Sequence, residues 1–213
     1  MEDQRSRGRP ARWLARGLFA LAAVALASAS SQAASAPQDT IKSFYAVLLN
    51  GMKGGAALHD KGRYDALLPE IQHDFDLPHM SQMAVGAGWA KLLPAERQAI
   101  TDAFGRYMTA TYADNFDSYS GERFEVIEQQ STSYGTIVES RLIQSDGMPV
   151  TMNYLMRQNR DGWQVGDIYL TGTISQLANL RSQFSSVLAR EGAGGLIASL
   201  DRKTEMLLVD NSP

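Results

Sequence analysis

Apolar residues between positions 38 and 53 recur at helical spacing: Ile41, Phe44, Tyr45, Leu48, Leu49 and Met52 share one helix face. Asp39 or Thr40 can cap this helix, and Gly51 with Gly54-Gly55 end it. Residues 61–75 read as a shorter helical region interrupted by Pro69, and 78–92 as a short pair with Met80, Met83 and Trp89 on the apolar side. Leu93-Pro94-Ala95-Glu96 opens a long helix, with Pro where its missing N–H costs nothing. Its apolar face carries Ile100, Phe104, Tyr107, Met108, Thr111, Tyr112 and Phe116.

After Gly121 the period drops to two. Segments 122–130, 134–145, 148–158 and 163–170 are rich in Val, Ile, Thr, Tyr and Phe, and Ser145-Asp146-Gly147 and Asn159-Arg160-Asp161-Gly162 are hairpin turns. Val150, Met152, Tyr154 and Met156 alternate with polar positions, while the alternation slips at Gly166-Asp167, which predicts a bulge or bend. Ile174, Leu177, Leu180, Phe184 and Leu188 mark a further helix with Ser175 as cap; Gly192 to Gly195 break it before a last amphipathic helix, 196–207. Strands joined by tight turns form an antiparallel meander rather than a parallel nucleotide-binding sheet. The expected class is α+β: a curved, cone-like antiparallel sheet of four or more strands, packed with N- and C-terminal helices around an apolar interior.

The first residues follow a different logic. Arg5, Arg7, Arg9, Arg12 and Arg16 precede the apolar run 18–27, and a small-residue stretch, 28–36, follows. These are the three parts of a secretory signal peptide, with cleavage expected near 33–36 and a single domain over 34–213. The apolar run is shorter than the ~20 residues a bilayer span needs, so an uncleaved anchor is the lesser alternative. The sequence has no Cys, which excludes a lipoprotein anchor, disulfides and thiolate metal sites. Without residues 1–33, which hold five Arg and two acidic residues, the net charge changes from −3 to −6. That balance argues against nucleic acid and against firm adsorption to anionic membranes. An exported, soluble protein of the periplasm is expected.

Catalytic patterns are sparse. The histidines are His59, His73 and His79; His73 and His79 flank Asp74 and Asp76, but the spacing matches no common zinc pattern, and a solvated loop explains them better. The glycines of 192–195 lack a phosphate-loop Lys. Asp167, on an otherwise apolar strand, is a candidate general base if the chain is a cone-fold enzyme acting on an apolar substrate. Because no His partner follows, a structural or gating carboxylate tied to Arg181 or to backbone N–H groups is the favoured reading. We expect no catalytic residue, metal or cofactor.

Apolar, adaptable material is abundant. Eight methionines follow Met1, at 52, 80, 83, 108, 148, 152, 156 and 206. Met tolerates partners of varied shape, and on a curved sheet roofed by helices such a set suits a lined cavity as well as ordinary core. The candidate wall residues are Trp89, Tyr107, Tyr112, Met152, Tyr154, Met156, Ile168, Leu177, Leu180 and Phe184.

Trp163-Gln164-Val165-Gly166-Asp167-Ile168, then Gly172-Thr173-Ile174-Ser175, Arg181-Ser182-Gln183-Phe184 and Gly195-Leu196-Ile197 form an ordered set. With Leu67-Leu68-Pro69, Leu92 to Arg97, Phe104, Tyr107, Tyr112, Tyr119 and Gly121, it resembles the toluene-tolerance family, the periplasmic carriers of the Mla (maintenance of lipid asymmetry) pathway. The resemblance spans about residues 38–207. One extra residue between Asp167 and Ser175, and Glu96 at a usual Gln, point to the hopanoid-associated branch. The resemblance implies a lipid cargo, phospholipid or hopanoid, held in an acyl-chain cavity. It also implies handover between an inner-membrane ABC-type lipid transporter complex and an outer-membrane acceptor protein. A scaffold or assembly protein without ligand is the remaining alternative.

Overall fold

The computed structural model describes residues 36–209 apart from Asp161, and these belong to one compact unit beginning at Ala34. The signal-peptide reading of residues 1–33 lies outside the described residues. Helix α1 (Pro37–Asp74) starts with Pro at its first turn and Asp39 facing the helix N-terminus; its cap is Ala36, which offers no side-chain acceptor. Neither Asp39 nor Thr40 caps it. The Thr40 hydroxyl is instead drawn across to donate to the carbonyl of Trp163, 3.3 Å away.

The dihedrals leave the helical region at Gly55 (φ 47°) and His59 (φ 51°), so α1 is two arms around a break. Arg63 closes that break. Its buried guanidinium donates to the carbonyls of Gly55 at 3.2 Å and Ala113 at 3.0 Å, and pairs with Asp60. Pro69 does not interrupt the second arm, which continues to Asp74. The lost backbone hydrogen bond is offset by flanking residues Leu67 and Ile71, both buried in the core.

Helix α2 (Leu77–Val85) is capped by the Asp76 carboxylate, which accepts from the His79 N–H, and runs into a 3-10 turn, Gly86–Lys91. Helix α3 (Pro94–Asn115) begins with Pro at its first position, and the Glu96 carboxylate accepts the Leu93 N–H at 2.8 Å. Five strands follow: β1 (Arg123–Thr132), β2 (Gly135–Ile143), β3 (Pro149–Asn159), β4 (Gly162–Leu170) and the two-residue β5 (Ile174–Ser175). They pair antiparallel in chain order as a curved, open sheet. Met156 pairs with Val165 and Leu155 with Asp167, so Gly166 is the extra residue of a bulge where the alternation slipped. Ile127 is a second such residue, between Val126 and Glu128.

Ile174 belongs to β5 rather than to the last helix, α4 (Gln176–Leu207), whose cap Ser175 accepts from the Ala178 N–H at 3.0 Å. Gly192 (φ 69°) breaks α4 into two arms at a conformation that glycine adopts without a Cβ penalty. The second arm is tied to α3 by Arg106 and Asp201 at 2.6 Å. The core lies between the concave face of the sheet and helices α1, α3 and α4, with α2 closing one side.

Candidate functional site

At the end of the sheet nearest the β2–β3 hairpin, the concave face stands away from the helices and leaves a cavity of about 370 Å³. Its walls come from α3 (Tyr107, Met108, Thr111, Tyr112, Asn115, Phe116), from the strands and the hairpin (Leu142, Gln144, Val150, Met152, Ile168, Leu170), and from α4 (Gln176, Leu180). Sheet pairing explains the strand wall. Leu142 lies opposite Val150, and Met152 opposite Leu170, so their inward side chains form one continuous apolar surface. Helical spacing explains the other: Met108, Thr111, Tyr112 and Asn115 repeat at steps of three and four on α3.

The chemistry of this wall is narrow. No acidic, basic or His side chain is among the described lining residues. Thr111 is occupied, donating to the Tyr107 carbonyl at 2.8 Å. Burial holds the Tyr112 phenol well above its ordinary pKa, so it stays neutral. The remaining polar groups are the Tyr107 phenol and the amides of Asn115, Gln144 and Gln176. Such a surface, predominantly apolar, can hold an apolar molecule.

Of the ten expected wall residues, Tyr107, Tyr112, Met152, Ile168 and Leu180 line the cavity. The other five are placed elsewhere. Trp89 is buried in the 3-10 turn, with the Arg97 guanidinium 6.0 Å from its ring. Phe184 packs edge-on against Phe104, centroids 6.1 Å apart, and Leu177 is buried beside Asp167. Tyr154 and Met156 share the strand face of Met152 but lie deeper, wholly buried. Leu142, Val150 and Leu170 escaped the sequence reading although strand alternation put them on the right face. Asn115, Gln144 and Gln176 carried no apolar signal at all.

Asp167 and Arg181 do not pair. One Asp167 oxygen accepts from the N–H groups of Ile168 (2.7 Å) and Leu177 (3.4 Å), and the other accepts from the Ser175 hydroxyl (2.6 Å). This carboxylate therefore fastens the entry to α4. Arg181 donates from Nε to the carbonyl of Met83 at 3.0 Å, which ties α4 to α2. Near them, His73 Nδ1 contacts Asp74 at 2.8 Å. Burial, reinforced by Arg157, lowers the His79 pKa, and no acidic–His cluster able to hold a metal occurs among the described residues.

Behind the cavity sits a cluster of phenols. Ser140 donates to the Met152 carbonyl, so its oxygen accepts the proton of the Tyr45 hydroxyl, 2.6 Å away. Burial pushes the Tyr45 pKa up to about 12 and holds that of Tyr154 well above the ordinary phenol value. The Tyr154 hydroxyl is buried without a hydrogen-bond partner.

Residues 38–202 match the sequence profile of the MlaC protein family. The chain belongs to that family. A solved structure of a phospholipid-binding protein from Ralstonia solanacearum, in complex with a phospholipid, is similar in fold. It shares 24% identity, covers 81% of this chain and 99% of its own, and superposes with a TM-score of 0.70. MlaC membership and this likeness agree with the α+β architecture of a curved antiparallel sheet under helices.

Proposed function

We propose that this MlaC-family chain is a non-enzymatic lipid carrier that shields the apolar part of a membrane lipid in the cavity beneath α3 and α4. The observation that carries the reading is the wall itself: largely aliphatic, thioether and aromatic, its polar groups being three amides, the Thr111 hydroxyl and two phenols, with no acidic, basic or His side chain among the described lining residues. Burial of each methylene contributes about 0.8 kcal/mol, so twelve carbons supply about 10 kcal/mol before ordering costs. That is enough to hold a lipid in water, and it makes release depend on a partner that opens the cavity or competes for the cargo. At about 370 Å³ the cavity is near the lower end of small-molecule sites, which span ~300–1,000 Å³. It suits one acyl chain or one ring system, so a two-chain phospholipid requires the α4 arm to move outward. A hopanoid is the second candidate cargo, and like a two-chain lipid it requires the walls to move apart.

The export signal read at residues 1–33 and the MlaC-family membership support a working protein in the periplasm. There it would exchange lipid with an inner-membrane ABC-type transporter complex and an outer-membrane acceptor, and so serve outer-membrane lipid asymmetry. No described helix is long and apolar enough to cross a membrane. The enzyme alternative is disfavoured because both Asp167 oxygens are engaged in holding the start of α4; the residue borders a separate cavity, with His79 and Arg157, rather than the apolar one.

A transfer assay tests the proposal. Vesicles carrying a labelled phospholipid are mixed with the protein and then removed by centrifugation. Label remaining in solution at a stoichiometry near one per chain is expected, and unlabelled hopanoid added as competitor ranks the two cargoes. Label that stays wholly with the vesicles contradicts the carrier reading.

A further inference from the structure

Along the inner face of β3 the side chains run Val150, Met152, Tyr154, Met156. Val150 and Met152 line the cavity; Tyr154, the next inward, does not, and is fully buried. The neighbouring strands stop at staggered levels. On β2, Leu142, opposite Val150, lines the cavity and Ser140 does not; on β4, Leu170 and Ile168 line it, and Ile168 pairs with Tyr154. The inner end of the cavity is therefore a slanted floor that reaches deepest beside Ile168, and Tyr154 stands at that level on the central strand, just beyond the last lining residue of β3.

That floor is braced. The Tyr154 ring meets Tyr45 edge-on at 5.9 Å, and Tyr45 is stacked on Phe124 at 4.4 Å. Tyr45 is further held through Ser140 to the β3 backbone. Tyr112, which faces the cavity, is locked edge-on against Phe44 at 5.2 Å. An apolar chain end entering from the β2–β3 hairpin cannot displace one ring without moving the others.

We infer that Tyr154 is the specificity-determining residue for cargo length: its ring is the stop that limits how far an acyl chain enters. The inference rests on the carrier reading and on an acyl chain as cargo. Removing the ring opens at most one two-residue step of strand, about 6.6 Å of depth, or room for up to roughly five more carbons in an extended chain.

The full chain and its variants are incubated with vesicles holding equal amounts of phosphatidylethanolamines that differ only in chain length. Bound lipid is then identified by mass spectrometry, with circular dichroism as the check on folding. Tyr154→Leu is expected to shift the bound distribution to chains longer by two carbons or more, with about a threefold enrichment of the longest. Tyr154→Phe keeps the ring and is expected to leave the distribution unchanged. Met152→Phe raises the floor and is expected to favour shorter chains, which keeps the test alive should Tyr154→Leu fail to fold. Uptake by the native chain with the same length profile in Tyr154→Leu and Met152→Phe, or a Tyr154→Phe shift equal to that of Tyr154→Leu, overturns the inference while the carrier reading stands. No uptake by the native chain overturns the carrier reading itself.

Discussion

The two ends of the interior use similar apolar residues to opposite effect. At the α1 end, Phe44 meets Phe75 edge-on at 5.1 Å and Tyr112 at 5.2 Å, and each ring fills the space left by the next. At the hairpin end, Leu142, Val150 and Met152 on the sheet face Leu180 on α4 across a gap that their side chains do not span. Exposure follows the same division: Phe44 and Phe75 are buried, whereas Leu142, Val150 and Leu180 are half-buried. The reach of the side chains relative to the distance between sheet and helix decides which end is solid and which can accept a guest.

The sharpest contrast comes from placing the same charge at each end. Met156→Glu puts a carboxylate in the solid end with no partner, at a cost of several kcal/mol, comparable to the whole stability of many domains. Loss of the folded circular dichroism spectrum is expected; a folded variant would show that this end is not solid. Next in size is Asp167→Asn. It weakens the charge-assisted bonds at the start of α4, for an expected loss of about 1–2 kcal/mol in urea unfolding with lipid binding retained. Leu180→Glu is smaller in stability, below about 1 kcal/mol, because Leu180 is half-exposed and water can reach the new carboxylate. Its expected phenotype is functional: folded protein without lipid. Folded protein that still binds lipid would remove Leu180 from the site.

The smallest effect concerns Asp74, at the solid end beside Phe75. Burial raises its pKa, and one oxygen is buried without a partner. A raised folded-state pKa contributes stability that is fully present below the unfolded value of ~3.9 and is lost as pH rises through the folded value. At neutral pH the ionised Asp74 is therefore a cost, and Asp74→Asn is expected to gain about 0.5 kcal/mol there. The gain in Tm should vanish below about pH 4; a gain that persists in acid would assign it to packing instead.

Much of this fold was legible in the chain. The turns at Gly147 and Gly162 both adopt positive φ, and the slip at Gly166-Asp167 is a bulge, because each is a local backbone requirement written in local sequence. Pro69 was misleading, since tertiary packing through Leu67 and Ile71 overrides a local helix breaker. Strand β5 was missed because two residues carry no period; it exists only because Thr171 (φ 50°) and Gly172 (φ 87°) fold the chain back onto β4. The cavity was legible in direction but not in extent. Alternation states which face Met152, Tyr154 and Met156 share, and it is silent on how far each lies from the helices opposite. Depth is a property of the assembled layers, which is why Tyr154, expected in the wall, lies buried beyond the lining residues.

The account turns on whether the cavity is occupied by a lipid when the protein leaves the cell. Native mass spectrometry of the chain purified from a bacterial periplasm, without detergent or organic solvent, addresses this most directly. The expected spectrum shows an added mass that dissociates on activation and is identified as one membrane lipid per chain, absent from Leu180→Glu. A spectrum of bare polypeptide, unchanged after incubation with phospholipid vesicles, would contradict the account.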